Sequence, residues 1–207
     1  MKYIYGVPKQ VKGGYHDTES SKCFKKQQDV RHAFTLLKQR FININHWKEY
    51  AGEGGADFRL FDLEGKPVDR PPVAGDYIRI DIPGPGNIEA KGFDWVQVKK
   101  ISRGFLKENE KENLLMECSP SVDPTLPDPI HIAHFYSAAA TSTFMISRTE
   151  ECIYACIYGR NEQPNFKNAG IPDKFRNGVI AIGGIVGISK MEWKSLTEGL
   201  LGKNDVT

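Results

Sequence analysis

The stretch that decides the fold is PDKFRNGVIAIGGIVGISKMEWKSLTEGLL, which runs from Pro172 to Leu201. Pro172 and Asp173 suit the first turn of a helix. Apolar residues then recur at steps of three, four and seven, which places them on one helical face: Phe175, Val179, Ile182, Val186, Trp193, Leu196 and Leu200. The spacing predicts one long helix whose apolar face packs against a sheet.

The glycines of the same stretch leave two alternatives open. Each glycine inside a helix costs about 1 kcal/mol relative to alanine, and Gly183-Gly184 could instead be the turn of a hairpin between two apolar strands. Ser189 and Glu192 have the spacing of a capping box, so the helix could also end near Gly187 and begin again. The apolar run is too short to span a membrane.

Composition limits the class of protein. A chain of 207 residues is expected to form one sizeable domain. A net charge of +2 gives no strongly basic face, so nucleic acid is not an expected partner. The first six residues lack the apolar core of a secretory signal, which favours the cytoplasm. The four cysteines have no zinc-site spacing, and in that compartment no disulfide is expected.

The N-terminal part is predicted to contain one helix. Residues 1–6 favour a short strand, and the polar residues 8–28 indicate a loosely packed arm. An amphipathic helix follows, with Asp29 as its expected N-cap. Its apolar face comprises Val30, Phe34, Leu37, Phe41 and Ile44.

Alternating segments separated by turn residues follow this helix. Candidate strands occupy residues 58–61, 76–82, 95–101, 114–118, 141–148 and 152–158. A helix, a run of strands and a second helix form an α+β pattern. The predicted fold is an antiparallel sheet of five to seven strands curled around a long C-terminal helix. The predicted organisation is an N-terminal strand and arm at 1–28, one domain at 29–201 and a tail at 202–207.

This order resembles the helix-grip fold of the SRPBCC superfamily, also called START-like or Bet v 1-like. The resemblance rests on the element order, on the turn His46-Trp47-Lys48-Glu49-Tyr50 and on a final helix that ends in Trp193, Leu196, Leu200 and Leu201. It implies a cavity between sheet and helix that often binds an apolar small molecule, in a superfamily that includes binders and enzymes. The ligand-binding residues expected there are His134, Tyr136, Phe144, Ile153, Val179 and Ile182.

No catalytic set or cofactor site is recognisable in the sequence. His131 and His134 have an H-x-x-H spacing, but a metal needs three or four ligands and nothing nearby completes the set, so no metal is predicted. Cys152 and Cys156 lie on one strand face about 13 Å apart at the usual strand rise, so they are predicted to be small semi-buried residues.

Two further hypotheses compete with ligand binding. A cyclase or hydrolase of the same fold would need a titratable group in the cavity, for which Asp81, His134 and Arg79 are the candidates, although Arg79, Asp81 and Tyr77 are expected to face solvent. A non-catalytic interaction protein would form a homodimer through an outer row of aromatic residues. That row comprises Trp95, Tyr154 and Tyr158.

Overall fold

The computed structural model describes residues 3–52, 55–81, 93–104, 109–165 and 193–203. The strands are β1 Gly14–Cys23, β2 Asp57–Phe61, β3 Tyr77–Asp81, β4 Asp94–Ser102, β5 Glu112–Pro120, β6 Thr141–Arg148 and β7 Cys152–Glu162. The helices are α1 Gln27–Ile42, a 3-10 turn Ile44–His46, α2 Trp47–Ala51 and α3 at residues 193–200. The described residues therefore confirm an α+β protein.

All seven strands lie in one antiparallel sheet of order β1-β7-β6-β5-β4-β3-β2. Strands β2 to β7 are neighbours in chain order, so each pairs with the next, and β1 pairs with β7 at the end of the row. The face covered by α1 and α3 is called the inner face below. The curling of the sheet around the C-terminal helix stays a prediction.

The first helix is confirmed, together with its buried side. Val30, Phe34, Leu37 and Phe41 are all buried in α1 because steps of four and three keep them on one face. The expected cap at Asp29 is wrong. The N-cap is Lys26, three residues earlier, so the helix begins at Gln27, and Lys26 makes no side-chain capping bond.

Trp47 lies at the centre of the inner-face core. Its ring centroid is 5.2 Å from that of Phe58 and 5.1 Å from that of Phe144, and its indole N–H donates to the Arg40 and Phe41 carbonyls. Trp193 at the start of α3 packs on the same two phenylalanines. The predicted contact between final helix and sheet is thus present over 193–200. Residues 172–192, including Val179, Ile182 and the alternative hairpin, lie outside the described residues.

The interpretation of residues 8–28 as a loose arm is wrong for residues 14–23. They form β1, which pairs with β7 from Gly14 to Cys23. The strand was missed because its buried side is polar: His16, Thr18 and Ser20 point inward and alternate with exposed residues. The Ser20 hydroxyl forms a 2.8 Å hydrogen bond with that of Thr197 in α3. The remaining domain boundaries stay a prediction.

The N-terminal residues cover part of the outer face. Residues 3–6 form no strand, contrary to expectation. Ile4 and Val7 instead pack with Leu115, Met145 and Tyr158. This contact shields the apolar side chains of the outer face from water.

The predicted outer aromatic row is largely enclosed by this chain. Tyr158 is fully buried and Trp95 packs edge-on against Phe61 at 4.9 Å. Arg79 is half-buried, with its guanidinium 4.2 Å from the Phe93 ring centroid, so its expected exposure is only partial. The homodimer stays a prediction, but Trp95 and Tyr158 are not available to form its contact surface.

A disulfide joins Cys23 to Cys152, so the expectation of reduced cysteines is wrong. The two residues are direct partners in the β1–β7 pairing, with Cα atoms 4.0 Å apart. The bond was missed because residue 23 was assigned to a loose arm with no fixed neighbour. Disulfides persist in oxidising compartments, which weighs against the cytoplasm. Within the described residues, no helix has the length and apolar character needed to cross a membrane.

Loss of this bridge should destabilise the protein. The bond closes a loop with a sequence separation of 129 residues, and such cross-links typically contribute about 2–4 kcal/mol. We expect the double substitution Cys23→Ser, Cys152→Ser to lower the free energy of unfolding in urea by that amount. Cys156→Ser, which changes a buried cysteine that is not part of a disulfide, is the control. Four reactive thiols in the unfolded, unreduced protein would contradict the bridge.

Candidate functional site

A small cavity lies between the inner face and the start of α3. Its volume is about 20 Å³, which is room for about one water molecule. Its lining mixes apolar and ionisable side chains. The residues around it are His16, Ile80, Asp94, Val96, His134, Phe135, Tyr136, Ser142, Phe144, Glu162 and Trp193.

Three of the expected ligand-binding residues meet at this cavity, namely His134, Tyr136 and Phe144. Ile153 is buried on the inner face but at the start of β7, opposite Lys22 and Arg148, so it does not line the cavity. Asp81 and Arg79 also lie elsewhere, because Asp81 is exposed and Arg79 stacks on Phe93. As candidates for a titratable cavity group under the enzyme hypothesis they are wrong, whereas the expectation that Asp81 faces solvent is confirmed.

Polar residues line the cavity because, on β4 and β6, a polar residue precedes the apolar residues of the inner face. Asp94 precedes Val96 by two residues on β4, and Ser142 precedes Phe144 by two on β6. Side chains two apart share a face of a strand, so Asp94 and Ser142 continue the buried face. This extension of the alternating pattern was visible in the sequence, but the predicted strand began at residue 95.

A β-bulge brings Glu162 to the same place. Gly14 pairs with Glu162 and His16 pairs with Gly159, so Arg160 and Asn161 together lie opposite Tyr15. Asn161 has a positive φ of 56°. Without the extra residue, Glu162 would be on the opposite face from Gly159. The bulge turns the Glu162 side chain inward, a role that bulges have near functional sites.

His16 and Glu162 form a buried pair. The His16 Nδ1 atom is 2.6 Å from the Glu162 Oε1 atom, and both side chains are more than nine-tenths buried. Gly159 lies beneath them, and a Cβ atom there would overlap Oε1 of Glu162 and Nδ1 of His16. The other ring nitrogen, Nε2 of His16, is buried, and no atom in the part of the chain that the structure describes forms a hydrogen bond with it.

Tyr136 bonds to the same carboxylate from the loop after β5. Burial raises the pKa of its hydroxyl, and the hydrogen bond to negatively charged Glu162 raises it further. Tyr136 therefore stays protonated at physiological pH and donates to Glu162. Glu162 is held on two sides, by the imidazole of His16 and by this phenol.

Asp94 is a buried carboxyl group with little stabilisation of its charged form. Its Oδ1 atom accepts a 3.1 Å hydrogen bond from the Phe135 amide. Burial nevertheless raises its pKa from 3.8 to about 7, because loss of water disfavours the charged form. Near neutral pH, Asp94 is therefore a mixture of acid and carboxylate.

His134 is neutral. Its Nδ1 atom accepts a 2.9 Å hydrogen bond from the Tyr136 amide, and its ring stacks on Phe135 at 4.5 Å. Burial lowers its pKa from 6.5 to about 3. With Nδ1 engaged as an acceptor, its proton is on Nε2. The described residues contain no group of three or more His, Cys, Asp or Glu side chains arranged to hold a metal ion.

The sequence alone did not identify three ionisable residues of the cavity, His16, Asp94 and Glu162. His16 lay in the supposed arm, Asp94 one residue before a predicted strand, and Glu162 in a predicted loop. A signal for His16 existed in the alternation of residues 16–21. Glu162 gave no such signal, because strict alternation along β7 would place its side chain on the outer face.

Comparisons with known proteins identify no family. No family model and no curated protein matches the sequence. Among solved structures, the protein XoxI from Bacillus cereus is similar at 14% identity and a TM-score of 0.40, covering 94% of this chain and 100% of that one. Ara h 8.0201 is similar at 9% identity and a TM-score of 0.37, covering 91% and 99%. At such low values, membership of the SRPBCC superfamily stays a prediction.

Proposed function

We propose that this protein binds a small organic molecule at the cavity, with one polar group of the ligand hydrogen-bonded to His16. The observation that carries the proposal is the buried Nε2 atom of His16, for which the described residues provide no hydrogen-bond partner. A buried polar atom left without a partner costs about 1–3 kcal/mol. A ligand group that bonds to Nε2 would recover this cost.

The lining indicates which ligands would fit. Phe144 and Trp193 offer aromatic surface, whereas His16 and Asp94 offer hydrogen bonds. Because the free space is about 20 Å³, one functional group enters and displaces a water-sized volume. The expected small apolar or aromatic ligand is thus refined to an apolar or aromatic molecule that carries a polar group.

Screening by protein-observed NMR tests this proposal. The library should contain aromatic carboxylates, amides, phenols and ketones, together with benzene and toluene as purely apolar probes. We expect the polar aromatic fragments to shift the signals of His16 and Asp94, and His16→Gln to weaken their binding about tenfold, the effect of one hydrogen bond. Benzene and toluene should bind more weakly.

Native mass spectrometry of protein from its own host complements the screen. A reproducible extra mass that disappears on denaturation and in the His16→Gln variant would support the proposal. Fragments that bind only away from His16, or with equal affinity to the variant, would contradict it.

A further inference from the structure

A segment near the N-terminus lies against the bulge that turns Glu162 inward. Residues 3–13 make up this segment, which is called the strap below. We propose that the strap controls the proposed site, because it holds the bulge of β7 in the conformation that points Glu162 at His16. This inference rests on the proposed binding site and gives that site a means of regulation. It requires the contact between the two side chains and no particular charge on His16.

Asn161 is one of the two residues that form the bulge. Its φ of 56° lies in the left-handed region, which residues with a Cβ atom rarely adopt and asparagine tolerates better than most. Such a conformation persists only where neighbouring groups hold it. If residue 161 returned to extended backbone, the bulge would be lost and Glu162 would lie on the outer face. The position of Glu162 therefore depends on what holds Asn161.

The strap supplies groups that hold Asn161. Oδ1 of Asn161 accepts hydrogen bonds from the amides of Val11 and Lys12 at 2.7 and 3.2 Å. Its Nδ2 atom donates to the Lys9 carbonyl at 3.1 Å, and its backbone amide donates to Oε1 of Gln10 at 2.8 Å. Both polar atoms of the side chain and the backbone N–H are thus bonded to consecutive residues of the strap.

Apolar burial fastens the other end of the strap. Ile4 and Val7 are buried on the outer face, and the Val7 amide donates to the Ile4 carbonyl at 3.1 Å, which closes a turn between them. Tyr5 and Val11 are exposed. The strap therefore has an apolar attachment at residues 4–7 and a hydrogen-bonded attachment at residues 9–12, and loss of either should loosen it.

Gly13 carries the strap past the bulge into β1. Its φ is 81°, and a Cβ atom there would overlap the carbonyl oxygen of Glu162, so the chain passes directly against the Glu162 backbone. Gly14 then pairs with Glu162, and the His16 ring contacts the Glu162 side chain. A change in the strap therefore reaches the carboxylate through adjacent residues, without crossing the core.

The strap and the bulge together form an element with two arrangements. With the strap docked, Asn161 keeps its positive φ and Glu162 meets His16. With the strap released, Asn161 loses the bonds that hold it, and Glu162 turns away from the site. A ligand that needs the docked arrangement stabilises the strap in return, because coupling between two sites is reciprocal.

Hydrogen exchange measured by NMR tests the proposal with Ile4→Ser, which removes the apolar attachment and changes no group at the bulge. We expect exchange of the Val11 and Lys12 amides, and of the proton between His16 and Glu162, to become at least about tenfold faster, since a buried apolar side chain is lost. Tyr3→Ser is the matched control. Tyr3 belongs to the same segment but is 61% exposed, so both rates should stay unchanged.

Substitutions of Asn161 test the hydrogen-bonded attachment. Glycine adopts a positive φ freely, but Asn161→Gly loses the side-chain bonds to the strap and should accelerate exchange as Ile4→Ser does. Asn161→Asp should restore slow exchange in part, because a carboxylate still accepts from the amides of Val11 and Lys12. A residue needed only for its φ would give the opposite order, with glycine the better replacement.

The proposal is overturned if the Val11 and Lys12 amides exchange faster in Ile4→Ser while the proton between His16 and Glu162 does not. Slower exchange in Asn161→Gly than in Asn161→Asp would overturn it as well.

Binding of the polar aromatic fragments separates this proposal from the proposed function. We expect Ile4→Ser to weaken their binding at His16 about tenfold, in step with the loss of the docked strap. Equal affinity for Ile4→Ser and the native protein would overturn control by the strap and leave the binding function standing. If the native protein binds no fragment at His16, the binding function fails, and the exchange rates alone decide whether the strap holds Glu162.

Discussion

Asp94→Asn should stabilise the protein at pH 8 by about 4 kcal/mol. The folded state raises the pKa of Asp94 from 3.8 to about 7, and each pH unit of such a shift corresponds to about 1.4 kcal/mol. A raised carboxyl pKa means that the folded state binds the proton more tightly. The contribution of Asp94 to stability is therefore complete below about pH 4 and is lost as the pH rises through 7. Asparagine keeps the acceptor for Phe135 and carries no charge to bury.

Urea unfolding of both proteins from pH 4 to pH 8 measures this effect. The difference between variant and native protein should shrink to less than about 1 kcal/mol at pH 4. Asp76→Asn is the matched control, because Asp76 is also buried but is bonded to both terminal nitrogens of Arg70 at 2.6 and 2.8 Å. That variant should be destabilised by about 1–3 kcal/mol. A pH-independent difference for Asp94→Asn would contradict a buried, uncompensated carboxyl group.

Gly159→Ala should destabilise the protein by about 3–5 kcal/mol. The new Cβ atom would overlap Oε1 of Glu162 and Nδ1 of His16, so the two side chains would have to separate. Breaking a buried pair of this kind leaves an uncompensated charge and carries a cost of that size. The variant should also lose fragment binding at His16.

Gly14→Ala provides the control for this substitution in the same pair of strands. A Cβ atom at Gly14 would come no closer than 3.6 Å to a neighbouring atom, and its backbone does not require glycine. We expect a change of less than about 1 kcal/mol, measured by urea unfolding beside Gly159→Ala. Equal free energies of unfolding for the two variants would show that no buried pair lies above Gly159.

Apolar periodicity predicted the parts of this fold that are built from apolar side chains. The buried face of α1, from Val30 to Phe41, and the contact of Trp193 with the sheet were visible in this way. Strand β1 was not, because its buried side is polar and hydropathy treats His16 as a surface residue. The Cys23–Cys152 bridge was missed with it, since a pairing between distant segments follows only from the register of the sheet.

The site was less predictable than the core. His134, Tyr136 and Phe144 were expected at the cavity from a resemblance in element order, and they do line it. Glu162 could not be anticipated, because a single extra residue in the bulge reverses the face of every side chain beyond it. The pKa of Asp94 depends on burial by α3, β3 and the loop at Phe135, and no local pattern contains that information.

The most direct test of the account is the protonation of the two ring nitrogens of His16. Nitrogen-15 NMR of the native protein should show a protonated Nδ1 whose proton is bonded to Glu162 and exchanges slowly. Glu162→Gln should weaken or abolish that signal, whereas Glu49→Gln, which alters the exposed pair with His46, should leave it unchanged. A His16 ring that exchanges rapidly between its two tautomers, as free imidazole does, would contradict the buried pair and the site built on it.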